Sequence, residues 1–264
     1  MGRYLLPLLL ILPCVARAAA PDATINLRYQ AYAHGFAILA MDVTLATGPH
    51  SYALTLSYRT TGLARFLFPG EQNDAVAGAW IGPHAAPQRY MASGVWRGHA
   101  RQTEISYQNQ RPTVVRLISP GTREREPVPP ALQIGTEDTL SALAQLVRRV
   151  DTSTTCDTSA RIYDGRRLSE INARTVGMET VAATQRSIFV GPALRCDFEG
   201  HMLAGFLLDD NRAEMQRPLH GSAWFAAIEG SPPLPVRLQF ETRWFGDVTM
   251  FLTAATINPT TPPR

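Results

Sequence analysis

The chain of 264 residues contains no lysine, so each of its 25 basic side chains is an arginine. We interpret this bias as a property of the coding sequence rather than as selection for guanidinium groups. A strong excess of charge is also missing. Without Arg3 and Arg17, which fall in the leader described below, 23 basic residues face 22 acidic ones. A nearly neutral protein has no general electrostatic attraction to nucleic acid, and we predict no nucleic-acid partner.

Long hydrophobic runs are missing too, apart from a short one at residues 5–15. It follows Arg3, is interrupted by Pro7 and Pro13, and leads into the alanines at 18–20. A membrane-spanning helix needs about 20 apolar residues. A cation, a short apolar stretch and a small-residue cut site are instead typical of a secretory signal peptide. We therefore expect residues 1–20 to be a leader cleaved near 18–20. The mature form then has no transmembrane span and lies in the periplasm, or is secreted.

Cysteine is scarce, with three residues in the chain. Cys14 lies in the leader behind Pro13, and a lipoprotein cut site needs a small residue there, so we do not expect lipid attachment. Cys156 and Cys196 remain, and two cysteines in an oxidising compartment usually pair. Closing a loop of their 40-residue separation is worth roughly 4 kcal/mol. The alternative is two free, buried thiols.

The motifs of common catalytic sites are absent from the sequence. It has no Gly-x-Ser-x-Gly nucleophile elbow and neither of the usual glycine-rich phosphate loops. None of its six histidines is spaced from another as metal ligands on one helix or strand would be. We interpret Asp209 and Asp210, with Arg212, as a polar turn rather than an acid–base pair. These patterns predict a protein that is not an enzyme and needs no cofactor or metal.

What the sequence does contain is alternation of apolar and polar residues, which is typical of antiparallel strands with one buried face. Glycine, alanine and proline dominate residues 69–87, for which we expect a loose connection. Strands or hairpins are predicted at 25–31, 39–45, 52–58, 91–97, 101–108, 113–118, 161–168, 176–183, 194–198, 224–229, 236–245 and 248–256.

One amphipathic helix is predicted among these strands. Thr136 or Asp138 is its cap, and apolar residues from Leu140 to Val150 recur at helical spacing. We expect a mainly β fold: a strongly curved antiparallel sheet or open half-barrel of about ten or more strands, with this helix packed on it. Residues 21–257 form one domain, whose halves 21–118 and 136–257 are joined by a proline-rich connection, 119–135. The tail 258–264 is expected to be disordered.

The pair Asp164-Gly165 predicts a tight hairpin turn of type I′. Arg166 and Arg167 follow it, and paired arginines beside a turn could bind a carboxylate or phosphate. A structural role is favoured. Neighbouring strand residues point to opposite faces, so that one arginine could pair with an inward carboxylate of the protein itself.

Several segments of the chain form a recognisable combination: the leader, residues 138–141 at the helix start, Cys156 before residues 163–167, residues 191–196, residues 234–238, and Glu241-Thr242. Together they resemble the bacterial envelope family known as domain-of-unknown-function family 3108. The resemblance implies a periplasmic protein rich in antiparallel strands and transfers no catalytic residue. By analogy of architecture, its plan is similar to the half-barrels that carry lipoproteins across the bacterial envelope.

A curved sheet with one helix across it leaves a concave surface. The candidate residues for an apolar lining are Tyr52, Leu54, Leu56, Trp96, Phe240 and Trp244, although alternating strand residues more often form a packed core. Our leading hypothesis is a non-catalytic module that binds a lipid or another apolar ligand. The alternative is an envelope assembly factor that contacts proteins through an exposed strand edge. An enzyme ranks third.

Overall fold

The computed structural model describes residues 23–118, 125–209, 211–242 and 245–259. The leader, Cys14 and Trp244 lie outside these ranges. Within them the chain forms 13 strands and four helices. In chain order these are β1 (Ala23–Ala33), β2 (Phe36–Thr47), β3 (Ser51–Thr60), α1 (Ala64–Leu67), β4 (Gly70–Ile81), β5 (His84–Trp96), β6 (His99–Gln108), β7 (Arg111–Ile118), α2 (Pro130–Gln133), α3 (Thr139–Ser153), β8 (Thr158–Tyr163), β9 (Leu168–Val181), β10 (Gly191–Ala204), α4 (Arg212–Met215), β11 (Leu219–Ala226), β12 (Leu234–Thr242) and β13 (Gly246–Pro259).

All the strands belong to one antiparallel sheet that does not close. Their order is β7-β6-β5-β4-β3-β2-β1-β13-β12-β11-β10-β9-β8. The first and last strands of the chain pair in the middle of this order, with Leu27 of β1 opposite Val43 of β2 and Ala255 of β13. The expectation of a mainly β protein with an open antiparallel sheet is confirmed.

The alternation places one face of each strand in the core. On β1, Ile25, Leu27, Tyr29 and Ala31 are buried. Their neighbours across β2 and β3 continue this apolar face. Burying one face of every strand removes a large apolar area from water, at about 25 cal/mol for each Å². This inner face is the side on which α3 lies.

Helix α3 is the long helix expected from the sequence, and it lies inside the curve of the sheet. Asp138 caps it, since its Oδ1 accepts hydrogen bonds from the backbone N–H groups of Leu140 and Ser141 at 3.0 and 2.9 Å. The helix contacts β3, β4 and β5, and also β8 at the far end of the strand order. The sheet therefore has to curve around the helix. None of the helices in the described ranges has the length and hydropathy needed to cross a bilayer.

The segment before α3 covers the free edge of β8. Glu137 forms a parallel bridge with Ile162. Its N–H donates to the carbonyl of Arg161, and its carbonyl accepts from the N–H of Tyr163, both at 2.9 Å. These bonds satisfy backbone groups that an edge strand would otherwise leave open.

Cys156 and Cys196 form a disulfide, with their Cα atoms 6.1 Å apart. Both residues are fully buried. Cys156 lies between α3 and β8, and Cys196 lies on β10, so the bond ties the carboxyl end of the helix to the sheet. The predicted pairing is confirmed.

The loose connection expected at 69–87 was wrong, because these residues form β4 and the start of β5. The small residues that suggested a loop are required by close packing. A Cβ atom on Gly78 would lie 2.5 Å from the ring of Tyr52, and one on Gly70 would lie 2.3 Å from the ring of Trp96. At these positions the space between neighbouring side chains, rather than β-propensity, determines that the residue is small.

Two smaller expectations also need correction. The turn at Asp164-Gly165 joins β8 to β9, and Gly165 has φ +90°, but Asp164 does not have the positive φ that a type I′ turn needs at its first position. The predicted tail begins inside β13, which continues to Pro259. The rest of that tail, and residues 119–124 of the proline-rich connection, lie outside the described ranges.

Candidate functional site

On the concave side of the sheet, helix α3 packs against the first half and leaves a hollow beside the second. Helix α3 is fixed against the first half by two buried polar contacts. The hydroxyls of Ser141 and Tyr52 hydrogen-bond at 2.7 Å, and Gln145 Oε1 accepts from the N–H of Ala85 at 2.7 Å. The partner residues belong to β3 and β5, so these bonds fix the helix against the first half, although it also contacts β8 of the second half. A hollow remains on its other side.

That hollow is an apolar cavity of about 520 Å³ between α3, α4 and the inner face of β8–β12. Its volume lies in the range of small-molecule sites, roughly 300–1,000 Å³. The side chains that give it its character come from the helix and from alternating strand positions. They are Leu143, Leu146, Ile171, Phe198, Leu238 and Phe240.

A glycine keeps part of this cavity open. Gly200 lies on β10 between Phe198 and Met202 and lines the cavity with them. A Cβ atom added to it would have its nearest neighbours, a side-chain carbon of Ile171 and the backbone oxygen of Leu219, 3.8 Å away, which is an ordinary contact distance. The backbone at Gly200 therefore accepts a side chain, and that side chain would occupy space that is now empty.

A second cavity, of about 420 Å³, lies at the amino-terminal end of α3. One wall is the inner face of β2–β6 beyond the reach of the helix, and the other is the β8–β9 turn. Its walls combine tyrosine and leucine with charged groups. The charged and polar residues that define it are Tyr58, Gln72, Asp74, Arg101, Arg166 and Arg167.

The β8–β9 turn presents Arg166 and Arg167 to this polar cavity. Asp164 Oδ1 accepts from the N–H groups of Arg166 and Arg167 at 2.9 and 2.7 Å, and its Oδ2 pairs with the Arg167 guanidinium at 2.6 Å. Burial would raise the pKa of Asp164, but the charge of Arg167 and these hydrogen bonds outweigh it and lower the pKa. The inward carboxylate that the sequence suggested is thus the turn's own aspartate, and it binds Arg167.

Asp74 faces the same cavity from β4. Burial raises its pKa to about 6, despite two hydrogen bonds from Gln72 Nε2 at 2.8 and 2.9 Å. The hydroxyl of Tyr58 in turn donates to Gln72 Oε1 at 3.2 Å. The three residues form a connected polar chain along the strands. Sequence reasoning missed Asp74 because its strand was taken for a loop.

Two further acidic groups lie where the segment before α3 meets β8. Burial, with the charge of Asp138 second, raises the pKa of Glu137 to about 8. The Oε2 atom of Glu137 is buried and has no hydrogen-bond partner among the described residues. Asp138 is fully buried and also has a raised pKa, because burial outweighs the hydrogen bonds that it accepts at the helix start.

The residues predicted to line an apolar surface have different places. Tyr52 and Leu54 are almost completely buried under α3. They belong to the packed core rather than to a lining, because the helix occupies that half. Leu56 lines the polar cavity and Phe240 lines the apolar one. Trp96, the last residue of β5, instead packs its ring over Gly70 at the start of β4.

A larger depression of about 710 Å³ near β9–β13 is lined by charged groups that pair with one another. Arg195 contacts Glu179 and Asp197, each at 2.9 Å, and Ser222 donates to Asp197 at 2.7 Å. These groups already satisfy each other, which favours a structural role. Across the described ranges, no three His, Cys, Asp or Glu side chains are grouped so as to hold a metal ion.

Comparison with known proteins gives a family and a similar fold. The family model described as "Protein of unknown function (DUF3108)" matches residues 26–253, which confirms the resemblance drawn from the sequence motifs. No curated protein matches the chain. A solved structure that is similar is the beta-barrel-like protein of domain of unknown function DUF1849 from Brucella abortus. It shares 8% identity and a TM-score of 0.49, with 91% of this chain and 100% of that chain covered.

Proposed function

The chain belongs to the DUF3108 family, and from the geometry of its own cavities we propose that it is an exported, non-catalytic module that binds an apolar ligand. The ligand lies between α3 and the inner face of β8–β12. The observation that carries the proposal is the apolar cavity of about 520 Å³ in the half of the sheet that the helix leaves unfilled.

The size of the expected stabilisation supports binding rather than an empty hollow. Each methylene group moved from water into an apolar site contributes about 0.8 kcal/mol. A chain that buries ten methylenes gains roughly 8 kcal/mol, from which association subtracts at least about 4 kcal/mol. An alkyl chain in this cavity thus contributes at most about 4 kcal/mol net, a dissociation constant near 1 mM, so tighter binding needs polar contacts as well.

Export is part of the proposal. The leader pattern at residues 1–20 supports a periplasmic location. The buried disulfide between Cys156 and Cys196 supports an oxidising compartment, because such bonds are rare in the cytosol. We propose binding without catalysis because the feature that carries the argument is an apolar wall, which retains a ligand without acting on it chemically.

A second candidate is an assembly factor that binds an envelope protein through β7. This strand is an edge of the sheet. It exposes Val115, Leu117 and Ile118. An edge of this kind pairs with an added strand of a partner. A photoreactive residue at Val115, compared with one at exposed Ala53 on β3, tests it. Partner capture from Val115 alone supports this role, and equal or absent capture at both positions contradicts it.

The substitution Gly200→Leu tests the proposed function. The new side chain enters the cavity without close contact to the backbone, and leucine suits a strand better than glycine does. We expect the variant to keep the melting temperature of the wild type and to lose at least tenfold in affinity for a fluorescent lipid probe. The readout is a titration of the full mature chain with the probe.

Ala53→Leu is the matched control, because it adds an apolar side chain at an exposed position on β3, outside the cavity. It is expected to bind the probe as the wild type does. Equal probe affinity in the wild type and the Gly200→Leu variant, with both folded, contradicts the assignment of the ligand to this cavity.

A further inference from the structure

The apolar and polar cavities adjoin each other. Thr139, at the first turn of α3, and Arg167, at the end of the β8–β9 turn, contribute to the walls of both. The side chain of Arg167 remains 49% exposed although it pairs with Asp164. A molecule longer than one cavity can therefore pass from the apolar space beside α3 to the charged space at the helix start.

The polar cavity holds guanidinium groups that lack hydrogen-bond partners within the described part of the chain. The Nε atom of Arg101 is buried and makes no hydrogen bond within the described part of the chain. Arg166 is partly buried and lines the cavity beside Arg101 and Arg167. Burial lowers the pKa of Arg166, the charge of Asp164 opposes this, and the charges of Arg167 and Arg101 lower the pKa further.

The acidic groups beside these arginines are already engaged. Asp164 pairs with Arg167 and accepts a hydrogen bond from the backbone N–H of Arg166 in the turn. Asp74 accepts both of its side-chain hydrogen bonds from Gln72. A fourth arginine in the wall, Arg125, donates to the carbonyl of Gly205 at 2.7 Å. What the cavity lacks is a hydrogen-bonded anion for Arg101 and Arg166, and arginine binds carboxylates and phosphates with two parallel hydrogen bonds.

Resting on the proposed function, we infer that the ligand is an anionic amphiphile. Its alkyl chain lies in the apolar cavity beside α3. Its carboxylate or phosphate head lies in the polar cavity against Arg101 and Arg166. Thr139 and Arg167 stand at the passage between the two. The inference adds the head group and its receptor to the apolar site, and it separates this ligand from a neutral hydrocarbon or alcohol.

The experiment compares three ligands that share one twelve-carbon chain: dodecanoate, dodecyl phosphate and dodecan-1-ol. Each is titrated at pH 7.5 into the full mature chain by calorimetry. The proteins are the wild type, the double variant Arg101→Gln/Arg166→Gln and the control Arg111→Gln, whose arginine is exposed at the β6–β7 turn. A hydrogen bond to a charged group is worth about 1.5–3 kcal/mol, so the anionic ligands gain about 10- to 100-fold over the alcohol.

We expect the wild type and Arg111→Gln to bind at least one anionic ligand tenfold or more tightly than dodecan-1-ol. The double variant is expected to lose that preference and to bind the alcohol unchanged. The preference between dodecanoate and dodecyl phosphate identifies the head group. If the double variant does not fold, the single variants Arg101→Lys and Arg166→Gln, each expected to weaken anion binding severalfold, replace it.

Two results overturn the inference in different ways. Equal affinity of the wild type for the alcohol and both anions refutes the anionic head and leaves the apolar site intact. The same refutation follows if the anions keep their full preference in the folded arginine variants. Failure of all three ligands to bind the wild type refutes the proposed function itself, and the inference with it.

Discussion

Removing the disulfide is expected to lower stability by an amount that follows from its position. The bond closes a loop of 40 residues that contains β8, β9 and the first part of β10. In the chain-entropy treatment, a loop of this length restricts the unfolded chain by roughly 4 kcal/mol at 25 °C. The double substitution Cys156→Ala/Cys196→Ala removes this restriction and leaves a small apolar void, because both cysteines are fully buried.

We therefore expect the double variant to lose about 3–5 kcal/mol in free energy of unfolding, measured by urea denaturation. The bond also ties the end of α3 to β10, on one side of the apolar cavity. Affinity for a lipid probe is thus expected to fall along with stability. Wild-type protein unfolded with a reductant is the control and should resemble the variant.

The reasoning is refuted if the oxidised wild type and the double variant unfold within 1 kcal/mol of each other, an interval well below the magnitude argued above. Thiol counting provides a second check. Two free thiols in the denatured, unreduced protein would show that the pair is not bonded.

Two more predictions concern the segments beside the polar cavity. Gly165→Val is expected to destabilise the protein by about 2 kcal/mol or more, because φ is +90° there and the new Cβ meets Thr103 at 2.9 Å. Gly82→Val, also at positive φ but in open space, should cost less, and equal thermal melts would contradict this. Glu137→Gln is expected to raise stability by up to about 5 kcal/mol at pH 9 and to leave it little changed at pH 4.

The sign for Glu137 follows from its protonation. Burial raises its pKa from the ordinary 4.5 to about 8 in the folded state. Between these values the folded chain binds more protons than the unfolded one, so stability falls as the pH rises and levels off above about 8. Glutamine cannot ionise, and the variant should lose this slope in urea unfolding measured from pH 4 to pH 9. An unchanged slope would show that the carboxyl is not buried as described.

Much of the fold follows from local pattern. Alternation along β1, β2 and β3 identifies the buried face because a strand has a side-chain period of two. The same rule missed β4, where Gly78 and its small neighbours serve the packing of Tyr52 rather than strand propensity. The disulfide could be predicted because residues 1–20 have the pattern of a signal peptide, and two cysteines in an oxidising compartment usually pair.

The site was harder to predict because it depends on where the helix lies. Ser141 and Gln145 hold α3 against β3 and β5, and sequence alone does not show that these polar residues face a sheet. This position of the helix makes Tyr52 part of the core and leaves Phe240 in the wall of the apolar cavity. Arg101 and Arg166 are 65 residues apart in sequence, and only the curvature of the sheet brings them to one cavity.

The mass of the native protein tests the central claim most directly. The protein would be purified from the cells that make it naturally and examined by native mass spectrometry, with solvent extraction of any bound molecule. We predict an added mass that extracts as an acidic lipid and that is absent from the Gly200→Leu variant. A clean mass of the protein alone, or the same adduct on both proteins, would contradict the account.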